Sequence, residues 1–226
     1  MEEKVVISLI SVAAGWFLSQ GTAFFKDLWE AKKMRAGLLT ELEDIENQLQ
    51  RVAMIHTRQL QIFALKGMEP TAALPVQNMF FKQYFKEAFS HLNRSQRVSY
   101  QLIHSSLDNL NKMQEGLAKF AEESYNEIKT EPDQKTQRMI EMWGDRVIAL
   151  YKTTMDVRWH IDYHLRNPKC PTFDLMGRMH ESYVKFEHEL DQEVRLIIER
   201  AKTFKKEDFE QIYNADAFTN KRPNAV

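Results

Sequence analysis

Cysteine occurs once in the 226 residues, at Cys170, so no disulfide can form within the chain, and a reducing location for its main domain is consistent with that. Glycine is scarce, at 7 residues, and no stretch alternates apolar and polar residues for long enough to specify a sheet. Net charge is nearly absent as well. At −1, with a pI near 6.7, the chain has no global basic field of the kind that makes nucleic acid an obligatory partner. Phosphate-loop and dinucleotide glycine motifs are missing, as are the Gly-x-Ser-x-Gly elbow, His-Glu-x-x-His and the paired Glu-x-x-His sets of di-iron bundles. No cofactor is expected, and these absences favour a non-enzymatic role.

Charge is also missing from one long stretch. Val5 to Phe25 reads VVISLISVAAGWFLSQGTAFF, without Asp, Glu, Lys, Arg or His. As a helix it spans roughly 30 Å, the thickness of a bilayer's hydrocarbon core, which predicts a single membrane helix in residues 1–25. A cleaved signal peptide would open with basic residues, whereas this chain opens Met1-Glu2-Glu3-Lys4. Lys26, Lys32, Lys33 and Arg35 follow the stretch and only Lys4 precedes it, so the amino terminus is expected outside and the main domain in the cytoplasm. No second stretch approaches this length, and the expected location is the inner (plasma) membrane, single-pass. Ser8, Ser11, Gly15, Ser19 and Thr22 recur at steps of three and four and share one narrow face. Such a face lets helices approach closely in lipid, which predicts a homo-oligomer, and in a ring of subunits it would line a narrow wet path. The plainer alternative is that the hydroxyls bond back to their own helix.

The rest of the chain is helical in pattern. Residues 26–66 form a juxtamembrane helix with Leu38, Leu42, Ile45, Leu49 and Val52 on a seam that His56 and Phe63 continue. Gly67 to Pro75 breaks it, and Phe80 to Phe89 is a short aromatic segment with interleaved lysines, expected to pack into the core. Three longer helices follow, at about 95–130, 133–166 and 174–205, with Asp133 as a candidate cap and Pro168 and Pro171 marking a turn. The fold class is all-α: a membrane helix continuing into a cytoplasmic up-and-down bundle over 26–66 and 67–205, then a polar tail at 206–226.

Two constellations carry chemistry. Asp156, His160 and His164 follow one another at steps of four, so they share a helical face and could offer a divalent metal three ligands, although a hydrated surface explains the same pattern. His180 and His188 would join them only if two helices align. The second is Arg followed by His after four to six intervening residues, at Arg51 and His56, Arg97 and His104, and Arg158 and His164. In an all-α bundle this resembles the signature of the HEPN family, which implies RNA cleavage by Arg and His brought together across a dimer. Active members often carry a polar residue after the Arg; here the residues are Val52, Val98 and Trp159. The expectation that follows is a self-associating membrane protein whose cytoplasmic bundle senses or binds something, as a scaffold or a pore-type effector. Its layout resembles bacterial membrane effectors used against phage. The alternative is a membrane-tethered HEPN-like ribonuclease or a degenerate derivative. Expected partners are the lipid bilayer, further copies of the chain and an unidentified cytoplasmic protein or RNA-linked partner.

Overall fold

In the computed structural model, residues 2–128, 134–174 and 176–204 are described, without the side chains of residues 2–10, 23, 128, 134 and 135. The elements are α1 (Glu2–Ala64), α2 (Met79–Ala88), a short 3-10 turn (Phe89–His91), α3 (Arg94–Ile128), α4 (Gln134–Arg166) and α5 (Arg178–Ala201), with no strand among the described residues. The expected cap at Asp133 and the polar tail 206–226 lie outside the described residues.

The long first helix follows from the absence of proline before Pro70. It stops at Lys66, which takes a left-handed conformation with φ 58. Lys66 N–H donates to Phe63 O and Gly67 N–H to Ile62 O, both 2.9 Å, closing the last turn in the pattern usually built around a glycine. Here Gly67 falls one position too late, and Lys66 takes the left-handed place.

The chain then returns along the bundle as an extended segment, whose backbone finds its hydrogen bonds on side chains of the helices. Gln59 Nε2 donates to Thr71 O (2.7 Å), Asn111 both accepts from Val76 N–H and donates to Val76 O (2.9 Å each), and Gln48 Oε1 accepts from Gln77 N–H (3.0 Å). This return is longer than the short connections expected, and it makes α1 and α3 run the same way while α4 runs against both. Asn93 begins α3 with a reciprocal cap: its Oδ1 accepts from Gln96 N–H (2.9 Å), and Gln96 Oε1 accepts from Asn93 N–H (3.0 Å).

The seam of α1 closes on the protein's own helices. Leu38, Leu42, Ile45, Leu49 and Leu60 are fully buried against Ile103, Leu107 and Leu110 of α3 and Trp143, Val147 and Ile161 of α4, with Leu190 and Val194 of α5 completing the core. Most of the aromatic segment packs inward, with Phe80, Phe81 and Phe85 against that core, while Phe89 is exposed.

The expected membrane span is not borne by the described residues: among them no helix is long and apolar enough to cross a membrane. The side chains of Val5 to Ile10 fall outside the description, and the remainder of the stretch is shorter than a bilayer core requires. Backbone helix is continuous from Glu2 to Ala64.

Candidate functional sites

Beyond the bundle, α1 runs on with its large apolar groups left mostly exposed by the described residues. Val12, Trp16, Phe17, Leu18, Phe24, Phe25, Leu28 and Trp29 are each between 52% and 72% exposed, and they surround the helix except on the narrow face of small and hydroxylated residues. Of the small-residue face, Ser8 lies outside the described side chains, Gly15 has nothing among the described residues within 4 Å of where a Cβ would stand, and Ser19 is exposed. Thr22 Oγ1 donates to Leu18 O at 2.5 Å, so this hydroxyl bonds back to its own helix. Ser11 lies on the same face and is exposed.

Inside the bundle lies a polar line that the pattern of apolar residues conceals. Glu41 of α1, largely buried, accepts from Phe80 N–H at Oε1 (2.6 Å) and Phe81 N–H at Oε2 (2.8 Å). A carboxylate thus caps the positive end of α2 from another helix. Burial outweighs these bonds and pushes the Glu41 carboxyl above its ordinary range. Beside it, His104 stacks on Phe81 with centroids 3.6 Å apart, and its Nδ1 meets Asn78 Nδ2 at 3.3 Å. With the amide donating, the His104 proton sits on Nε2, which has no hydrogen-bond partner among the described residues and lies 3.9 Å from Glu41 Oε2.

Tyr100 stands between His104 and His164, with its ring 4.3 Å from that of His164, whose Nδ1 meets Ser99 Oγ at 2.7 Å. His56, further along, meets Thr154 Oγ1 at 3.1 Å; that hydroxyl donates to Leu150 O, so the His56 Nδ1 carries the proton. Burial lowers all three imidazoles, His56 and His164 to about 4 and His104 to about 3. They are neutral core groups.

The histidines of the three Arg and His pairs are therefore inside, and two of the arginines are engaged elsewhere. Arg51 is exposed, the Arg97 guanidinium lies 4.4 Å from the Phe89 ring centre, and Arg158 donates from Nε and Nη2 to Glu46 Oε1 at 3.0 and 2.7 Å. General acid–base work on a phosphodiester needs both groups within reach of the substrate, and within one chain the described residues bring no such pair together.

The triad of Asp156, His160 and His164 divides as well. His160 Nε2 lies 3.5 Å from Asp156 Oδ1, whereas His164 turns to Ser99, and no group of three candidate ligands gathers among the described residues. The face is also less hydrated than the pattern suggests. His160 is buried and stacks on Tyr183, which donates to Asp156 Oδ1 at 2.7 Å, inside a cluster with Trp159, Tyr163 and Phe186 that joins α4 to α5. His180 and His188 remain exposed on α5.

Sequence reasoning missed Glu41, Asn78, Ser99 and Thr154. Only Glu41 left a signal, since it falls on the seam of α1 between Leu38 and Ile45, where a charge is expensive unless it is satisfied. Comparison with protein-family models, with curated proteins and with solved structures gives no match.

Proposed function

We propose that the chain is a non-enzymatic, membrane-anchored bundle protein that crosses the bilayer once through residues 5–25, holds its helical domain in the cytoplasm and associates with further copies of itself. The observation that carries this reading is the exposed run from Val12 to Trp29: a helix apolar on all but one narrow face of small and hydroxylated residues is stable only when buried in protein or in lipid, and the described bundle leaves it exposed. The stretch of Val5 to Ile10, equally free of charge, supplies the rest of a bilayer-length segment. Lys26 pairs with Glu30 at 3.9 Å and Lys33 lies over the Trp29 ring, an arrangement suited to an interface where aromatic and basic side chains collect. In this reading the bundle binds its partners below the membrane, and the number of copies brought together by the membrane helices sets the output.

Full-length protein expressed in cells is expected to stay with the membrane fraction through alkaline carbonate extraction. Release into the supernatant would defeat the anchor.

Association is a separate expectation. The mass of the detergent-extracted protein, corrected for bound detergent, is expected to exceed that of one chain and to fall in Gly15→Leu. That substitution places a large side chain on a face that is open in the single chain and must be close-packed between copies. An unchanged mass in the variant would sink the role of this face. A large discrete oligomer would call for conductance measurements, whereas a dimer fits a scaffold.

A further inference from the structure

The end of the bundle nearest the membrane helix is assembled from segments far apart in the chain. Arg35 of α1 donates from Nε to His91 O at 2.9 Å, and its Nη2 donates to the same carbonyl. Asn93 Nδ2 donates to Lys169 O and Gln96 Nε2 to Pro168 O, both at 2.7 Å. The turn between α2 and α3 and the turn between α4 and α5 therefore lie side by side, at the level where α1 leaves the bundle.

What these turns present outward is basic. Arg94 and Lys169 are exposed, and among the described residues neither has a carboxylate within ion-pair distance. Lys32 and Arg35 line a groove of about 360 Å³ beside them, with Phe24, Leu28 and His91 in its walls. Arg35 Nη1 makes no hydrogen bond among the described residues. The acidic groups at this end are fewer or partly engaged: Asp27 lines the groove, Glu87 and Asp174 are exposed, the latter accepting from Met176 N–H at 3.1 Å, Asp162 is bound by Arg166 at 2.8 Å and Glu30 lies beside Lys26.

Distance along the helix places this rim against lipid. Arg35 lies about 15 Å beyond Phe25 at about 1.5 Å per residue. The headgroup layer occupies roughly the first 5 to 7 Å of that. A tilt of about 20°, ordinary for a membrane helix, lowers one side of the bundle further. The rim is then within about one Debye length, roughly 8 Å, of the headgroups.

We propose that this basic end docks on the anionic phospholipid headgroups of the leaflet from which α1 emerges. Arg94 and Lys169 face the surface, and Lys32 and Arg35 add to the positive field of the rim. The inference rests on the membrane-anchor reading and adds a second contact to it. Docking holds the bundle at a set angle close to the bilayer, where a free stalk would let it swing.

The lone exposed Cys170, next to Lys169, supplies the probe without any substitution. Full-length protein labelled there with a fluorophore would be reconstituted into nanodiscs of phosphatidylcholine, or of phosphatidylcholine with phosphatidylglycerol, each carrying headgroup nitroxides. Quenching is expected to be about threefold stronger with phosphatidylglycerol and to fall with added salt. In R94E/K169E the lipid difference should vanish, since each cation near an anionic surface contributes about fivefold to the docked population. Equal quenching in the two lipids, with the protein inserted in both, overturns the docking while leaving the anchor intact. Protein that fails to insert overturns the anchor and the docking with it. The lipid comparison on the unsubstituted chain decides the matter even if the variant misfolds. Quenching that responds to an added acidic peptide or RNA but not to phosphatidylglycerol overturns lipid as the occupant.

Discussion

Taking the full-length protein in detergent from about pH 7 to about pH 5 is expected to lower its unfolding free energy by about 5 kcal/mol, comparable with the entire stability of many domains. The sign follows from the three buried histidines. Their folded-state values, about 4 for His56 and His164 and about 3 for His104, lie below the ordinary value of 6.5. Below pH 6.5 the unfolded chain therefore binds more protons than the folded one. Their full contribution is present above that pH and is lost progressively as the pH falls towards the folded values. At about 1.4 kcal/mol per pH unit, each imidazole costs about 2 kcal/mol at pH 5. His160 is lowered by burial too, against the opposing pull of Asp156, and acts in the same direction. Glu41 opposes them, because burial raises its carboxyl and the folded state takes up that proton first. One carboxyl offsets only part of the loss from the histidines. Thermal unfolding followed by circular dichroism at a series of pH values checks the expectation. His164→Phe, which keeps a ring beside Tyr100, should flatten the pH slope by about a third. A midpoint that does not move between pH 7 and pH 5 would show that the buried imidazoles do not govern acid stability.

Gly144→Leu is expected to destabilise the bundle by about 3 kcal/mol, although glycine in a helix interior ordinarily costs about 1 kcal/mol relative to better helix formers. The opposite signs make the test sharp. Gly144 is buried where α4 crosses α1, and the Phe63 ring fills the space above it: a Cβ there would lie 2.1 Å from Phe63 Cε2 and 2.3 Å from Cδ2. Either the ring leaves its place against the core or the two helices separate, and separation exposes the contacts around Trp143. Phe63→Ala in the same chain vacates that space, so the double variant should recover most of the loss, with a coupling of about 2 kcal/mol in a double-mutant cycle. Chemical denaturation of the four proteins measures it. Additive losses would mean that Phe63 and Gly144 do not share one close contact. The same arrangement recurs where the Phe80 ring covers Gly37, so both glycines of the bundle's crossing faces act by letting an aromatic ring approach the backbone.

Local chemistry is legible along the chain wherever one element decides the outcome. The seam from Leu38 to Val52 could be read because burial of one helical face imposes a period near 3.6 on apolar residues. The break between Ala64 and Met79 was written in Gly67, Pro70 and Pro75, and the inward packing of the aromatic segment in its spacing. The uncharged stretch of Val5 to Phe25 is likewise a property of the chain itself, and the bundle leaves its described part uncovered. The Arg and His spacings were equally visible, but spacing alone does not set what each side chain meets within the chain. Sharing a helix does not bring Arg97 to His104 or Arg158 to His164 once Phe89 and Glu46 have taken the arginines.

What only the tertiary structure decided is which faces meet, and with them every interaction between distant segments. Nothing local shows that Glu41 will cap a helix that begins at Met79, or that Asn111 will satisfy the backbone at Val76. Nor does any local pattern set the turns at His91 and Lys169 beside Arg35 to make one basic end. Periodicity and breakers act over a few residues, and the chain records them position by position. Capping at a distance, burial of a histidine and the summing of charge at one end of a bundle depend on the order and direction in which the helices pack, and that choice is made by the whole core at once.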